Sequence, residues 1–148
     1  LVHLDISLEN ITIKGVIFKD GKFIKHGNIY LIDFGLSEYF TDKFICNKRC
    51  GKALYQAYEI HIMNKPFDPR LVDVWALGVV LFVLHIGSFP VKIATKNDVY
   101  FCNIMNGYLY KMIKNNNKTK YVDKDIISLL NSMLCLRNKR YNIKNVLK

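Results

Sequence analysis

A chain of 148 residues is of single-domain size and long enough to bury a core. Its 51% hydrophobic and 13% aromatic content excludes the disordered and low-complexity classes. The net charge of +10, from 22 Lys and Arg against 12 Asp and Glu, favours anionic partners and leaves the fold open.

The first third reads as strands. His3-Leu-Asp-Ile-Ser-Leu-Glu-Asn10 packs a histidine, two carboxylates, a serine and an asparagine into one stretch, and Ile11–Ile13 leaves it as a short apolar strand. Val16–Ile24 has the form of a hairpin turning on Asp20-Gly21. Asn28–Ile32 is a further strand, ending in Asp33-Phe34-Gly35, and Leu36–Asn47 has no period and reads as a long loop. After Pro66 and Pro69 the pattern turns helical, over Val72–His85, Asp98–Ile113 and Lys124–Cys135, with a short terminal helix from Ile143.

Val74–Val91 contains no Lys, Arg, Asp or Glu and imitates a membrane span. Gly87, Ser88 and Pro90 stop it after about a dozen helical residues, where a span needs about 20. It is expected to be a buried core helix, with Asp73 in its first turn. The Asn/Lys-rich tract Lys114–Lys120 is expected to be a solvated loop; sequons at Asn10 and Asn117 matter only in a secreted chain. The four cysteines, Cys46, Cys50, Cys102 and Cys135, match neither a zinc site nor a disulfide framework, so reduced thiols in an intracellular, reducing compartment are expected. The chain opens on Leu1 rather than Met, so upstream sequence is expected.

Three short elements fall in a fixed order: His3-Leu-Asp5 followed by Asn10, then Asp33-Phe-Gly35, then Ala57-Tyr-Glu59. Together they resemble the protein kinase set H-R-D-x-x-x-x-N, D-F-G and A-P-E. Cys50-Gly-Lys-Ala-Leu-Tyr55, Asp73-Val-Trp-Ala-Leu-Gly78 and Arg140 extend the resemblance over essentially the whole chain. It implies an α+β fold: a mostly helical kinase C-lobe with a few short antiparallel strands near the N-terminus. Residues 1–148 would then form one partial catalytic domain, from the catalytic loop to the last helix, lacking its N-lobe. Without the packing helices that precede the catalytic loop, a large apolar surface is expected.

By the same resemblance Asp5 is the catalytic carboxylate beside the substrate hydroxyl, and Asn10 and Asp33 are the ligands of ATP-bound Mg²⁺. Phe34 and Gly35 belong to the metal loop that packs under His3. Asp73 is implied to hold the catalytic-loop backbone from below, and Glu59 with Arg140 to form a buried ion pair. Taken singly, each has a plainer reading: a strand-end cap for Asp5, a helix-start charge for Asp73, a simple turn for Asp33.

The pattern is broken in places. Leu4 stands where the motif has arginine, so a phosphorylated Ser37, Tyr39 or Thr41 would lose its main receptor. Ser7 stands where Ser/Thr kinases carry a phosphate-steadying lysine. Lys52, in the place of the threonine that lies against the catalytic carboxylate, is a candidate catalytic substitute; a solvated lysine is the plain alternative. Tyr58 replaces the motif proline. The stretch from Asn10 to Asp33 is longer than the compact pattern, and the Asp20-Gly21 hairpin absorbs the excess. Glu9 falls where many kinases meet a basic substrate residue, which implies a basic protein substrate. The departures also resemble the apicomplexan FIKK-type kinases, implying export to a host cell.

Three functions are therefore in view. The first is an ATP- and Mg²⁺-dependent protein kinase of the Ser/Thr type, active only with an N-lobe. The second is a pseudokinase or truncated scaffold that binds partners, which Ser7 favours. The third, a nucleic-acid-binding module, has charge but no reader motif, so neither nucleic acid nor a transmembrane span is expected.

Overall fold

The computed structural model describes residues 1–25, 27–39, 41, 46, 49–62, 66–115 and 123–147. Among them short strands come first and helices follow. A 3-10 turn at Leu8–Asn10 leads into β1 (Ile11–Lys14), which pairs antiparallel with β4 (Asn28–Leu31), Ile11 opposite Leu31 and Lys14 opposite Asn28. Between them β2 (Ile17–Lys19) and β3 (Lys22–Lys25) form a separate two-stranded sheet with a bulge after Ile17. The turn is the one the sequence predicts. Asp20 and Gly21 sit at φ 51° and 71°, the left-handed pair that a two-residue hairpin turn requires.

The described residues of the long loop, 36–39, 41 and 46, join the body through two isolated bridges, Val2 to Glu38 and Cys46 to Phe67. A second 3-10 turn at Ala53–Tyr55 and the short α1 (Tyr58–Ile62) follow, neither expected from the sequence. Their runs are too short for a 3.6-residue period to show.

The core is built on α2 (Pro69–Ile86). It begins three residues earlier than its periodicity predicts. Asp68 is the N-cap, accepting from the Arg70 N–H at 2.9 Å, and Pro69 takes the first helical position, so Asp73 falls in the second turn rather than the first. Gly87 closes the helix at φ 74°, its N–H on the Val83 carbonyl at 2.8 Å. By length and mean hydropathy of 1.7 this helix alone, among the described residues, passes for a membrane span. Instead Val72, Val74, Trp75, Val79, Val80 and Phe82 are buried against the rest of the chain.

The expected helix over Asp98–Ile113 is two helices, α3 (Val99–Met105) and α4 (Leu109–Asn115). Gly107 at φ 79° turns the chain between them, a break that one glycine in a helical pattern does not announce. α5 (Lys124–Met133) packs on α2 at Gly78, where a Cβ would lie 3.0 Å from Leu134 and Met133, and α6 (Ile143–Val146) ends the chain. Of the Asn/Lys-rich tract, residues 116–120 lie outside the described residues, as does the Asn117 sequon. All four cysteines are thiols; Cys46 and Cys50 are buried.

The expected apolar exposure is present, mainly on β1, β4 and the turn that follows β4, with Leu84 the large apolar residue exposed on α2. Ile13, Ile29, Tyr30, Ile32 and Phe34 are all exposed.

Candidate functional site

The site is assembled where the N-terminal loop meets the second turn of α2. Asp73 accepts from the backbone N–H groups of His3 at 2.7 Å and Leu4 at 2.8 Å. Burial raises the pKa of its carboxyl, and those two bonds pull the other way. The clamp sustains an unusual backbone: Leu4 has φ 66°, a left-handed conformation that costs a residue with a Cβ about 1–2 kcal/mol. Leu4 itself is buried.

The His3 ring links the loop to the DFG turn. Its Nδ1 accepts from the Asp5 N–H at 3.3 Å, so the proton is on Nε2, which donates to the Ile32 carbonyl at 3.1 Å. The ring meets Phe34 edge-on at 4.9 Å between centroids. Asp33 has φ 61° and an exposed side chain, with Oδ1 accepting from the Gly35 N–H at 3.3 Å.

Asp5 and Asn10 are joined directly. The Asn10 amide donates to the Asp5 carbonyl at 2.8 Å and to Asp5 Oδ2 at 2.9 Å. The 3-10 turn at Leu8–Asn10 makes this possible by folding the intervening residues back on themselves. Asp5 Oδ1 is buried, with no hydrogen-bond partner among the described residues. The Ile32 N–H donates to the Asn10 carbonyl at 2.9 Å, so the strands that carry Asn10 and Asp33 run side by side.

Lys52 reaches this loop from the opposite segment. Its Nζ donates to Ser7 Oγ at 2.8 Å and lies 3.4 Å from Glu9 Oε2. Ser7 is fully buried, whereas the Lys52 and Glu9 side chains are 41% and 60% exposed. The Glu9 carboxyl is held below its ordinary pKa, first by a backbone N–H, then by the Ser7 hydroxyl and by Lys52.

Three neighbours of Lys52 were not singled out in the sequence. Gly51 has φ 75°, and a Cβ there would sit 2.9 Å from the Leu4 carbonyl. Gln56 donates from Nε2 to the carbonyls of Cys50 at 3.1 Å and Gly51 at 2.9 Å. The Tyr55 hydroxyl accepts from the Leu8 N–H at 3.3 Å. Only the glycine carries a signal that could have been read, as the residue suited to left-handed backbone beside a contact.

Glu59 and Arg140 meet in the core, Nη1 to Oε1 at 2.6 Å and Nη2 to Oε2 at 3.2 Å, with both side chains almost fully buried. The guanidinium also donates to the Cys135 carbonyl at 2.7 and 3.1 Å and to the Leu71 carbonyl at 2.8 Å, and lies 5.1 Å over Trp75. This pair fixes α1, and hence the end of the segment that carries Lys52.

A family model for the protein kinase domain matches residues 1–148. Serine/threonine-protein kinase kin-29 of Caenorhabditis elegans is 31% identical over 150 residues, covering 100% of this chain and 16% of that protein. Serine/threonine-protein kinase ppk25 of Schizosaccharomyces pombe is 29% identical over 151 residues, covering 100% of this chain and 31% of that protein. NUAK family SNF1-like kinase 2 of Pongo abelii is 37% identical over 90 residues, which is 61% of this chain and 13% of that protein. The chain spans less than a third of the length of each of these relatives.

Proposed function

Because the chain belongs to the protein kinase domain family, we propose that it forms the catalytic-loop part of an enzyme that transfers the ATP γ-phosphoryl group to a serine or threonine hydroxyl of a protein. The observation that carries this reading is Asp5. Its carbonyl and its Oδ2 are both held by the Asn10 amide, which fixes the carboxylate on the loop. Asp5 would orient a substrate hydroxyl and take up its proton.

The residues fit a magnesium nucleotide. Mg²⁺ is usually held by one or two protein oxygens together with phosphates rather than by an all-protein cage. Among the described residues no three His, Cys, Asp or Glu side chains gather as a metal cage. Asn10 has its amide nitrogen on Asp5, which leaves its oxygen as the atom suited to a hard cation, and Asp33 is exposed on the adjoining turn. Bound there, the ion would neutralise charge on the transferring phosphates. Lys52 would supply the cation that Ser7 does not.

We read residues 1–148 as the C-terminal lobe part of the domain. The cavity beside Asp5 is about 10 Å³, too small for any nucleotide, and the exposed apolar strand residues suit a covering lobe. Leu4, Ser7 and the inserted β2–β3 hairpin support an affinity with the FIKK-type group, and the four thiols support a reducing compartment. A pseudokinase scaffold is the competing reading.

The test uses the full-length protein with ATP and Mg²⁺. Asp5→Asn is expected to lower kcat roughly 10²–10⁴-fold without loss of folding. Absence of phosphoryl transfer by the unaltered protein would establish the scaffold instead.

A further inference from the structure

We propose that Ser7 and Glu9 are positioning residues that clasp the Lys52 ammonium against the loop that carries Asp5, so that the site receives its cation from the segment that follows the DFG turn rather than from its own loop. This rests on the reading of Lys52 as the phosphate-steadying charge. The side chains of the clasp make a directional chain. Lys52 Nζ donates to Ser7 Oγ at 2.8 Å, and Glu9 Oε2 lies 3.4 Å from the same ammonium. Ser7 is buried at 0% exposure, so its oxygen is a fixed anchor and not a surface contact of chance. A lysine stem has four rotatable carbons, and two-point anchorage is what turns a solvated charge into a placed one. Lys52 is only half withdrawn from solvent, so its charge is held without the cost of full burial.

The backbone on both sides of Lys52 is seated independently. Gly51 lies against the Leu4 carbonyl with no room for a Cβ, and Tyr55 receives the Leu8 N–H. The segment therefore meets the loop through Gly51, Lys52 and Tyr55, and none of these contacts involves a phosphate group. Seating of the segment and delivery of the cation are one event.

The clasp also changes what Glu9 offers a substrate. Its carboxylate is paired with Lys52, so it presents little net charge to a basic residue. The substrate position facing Glu9 then carries no requirement for Lys or Arg, contrary to the preference its place in the sequence implies.

The experiment compares Ser7→Ala, Glu9→Gln, Lys52→Thr, Lys52→Arg and the exchange Ser7→Lys/Lys52→Thr in the full-length protein. It reads kcat, KM for ATP, and discrimination between peptides with Arg or Ala at the position facing Glu9. Lys52→Thr should lower kcat roughly 10- to 100-fold with little change in KM, and should raise the preference for Arg. Ser7→Ala and Glu9→Gln should each reproduce part of the kcat loss, and the exchange should restore most of it. Lys52→Arg, which keeps the charge, should retain most of kcat and so separates loss of charge from misfolding. If Lys52→Thr leaves kcat unchanged, the role of Lys52 falls and the clasp with it. If Lys52→Thr lowers kcat while Ser7→Ala and Glu9→Gln do not, the clasp is overturned and Lys52 stands. An exchange no better than Lys52→Thr alone also overturns it.

Discussion

Replacing Arg140 by Met in the full-length protein strips a buried carboxylate of its counter-charge. Glu59 is 3% exposed and its two oxygens are held by Arg140 at 2.6 and 3.2 Å. Breaking a buried pair from one side costs about 3–5 kcal/mol. The Cys135 carbonyl loses the same guanidinium, at about 1–3 kcal/mol for a buried acceptor left unmade, whereas the Leu71 carbonyl, inside α2, keeps its helix bond. These costs do not add in full, because neighbouring groups share partners and the surroundings can relax, so a loss of about 4–6 kcal/mol is expected. Against a domain stability of 5–15 kcal/mol that is a large share. The double variant Glu59→Leu/Arg140→Met removes the stranded charge and keeps only the orphaned Cys135 carbonyl, so about 1–3 kcal/mol should be lost. Urea titration followed by circular dichroism measures both. A single variant within about 1 kcal/mol of the parent, or a double variant as unstable as the single, would refute the reasoning.

Gly51→Ala puts a Cβ at φ 75° and 2.9 Å from the Leu4 carbonyl. It should cost about 1–3 kcal/mol and lower kcat more than it raises KM, as steady-state assays and thermal melts would report. His61, in α1, has a pKa below its ordinary 6.5, first because burial disfavours the charged ring and then because Arg49 repels it. Its Nε2 is buried without a partner. The unfolded chain therefore binds a proton that the folded chain refuses, and stability should fall as pH drops below about 6.5 toward the lower folded value. Urea midpoints taken from pH 7 to pH 5 should decline, and His61→Leu should flatten that part of the profile; an equal slope in the variant would assign the decline to other groups.

Much of this architecture is legible in the linear chain. Asp20-Gly21 announces its hairpin, because the turn chemistry is local. Asp5, Asn10 and Asp33 can be named because each sits at a fixed short offset from a neighbour with the motif's chemistry. What is not legible lies in contacts between distant residues. Taken alone, Asp73 looks like a helix-start charge, and only the family resemblance implies the hold on the loop backbone that its bonds to His3 and Leu4 make. Lys52 is a candidate only by resemblance, since its partners Ser7 and Glu9 lie far back along the chain. Tyr55 on Leu8 and Gln56 on Cys50 and Gly51 leave no pattern at all, because a single side chain on a backbone group has no period. The break at Gly107 is missed for the opposite reason: the apolar residues on either side, Met105 and Leu109, stand four apart and continue the helical rhythm across it.

Among the described residues the β2–β3 hairpin forms a two-stranded sheet of its own, and the strands it interrupts are already aligned, Lys14 standing opposite Asn28. A junction that close needs no more than a two-residue turn to bridge it. Residues 15–27 therefore behave as a detachable port on the scaffold. Exchanging them for Asn-Gly would shorten the chain and keep the strand register that leads to Asn10 and Asp33. The same junction would accept a reporter or a purification epitope with its two ends side by side, so the protein could be tagged from within instead of at its termini.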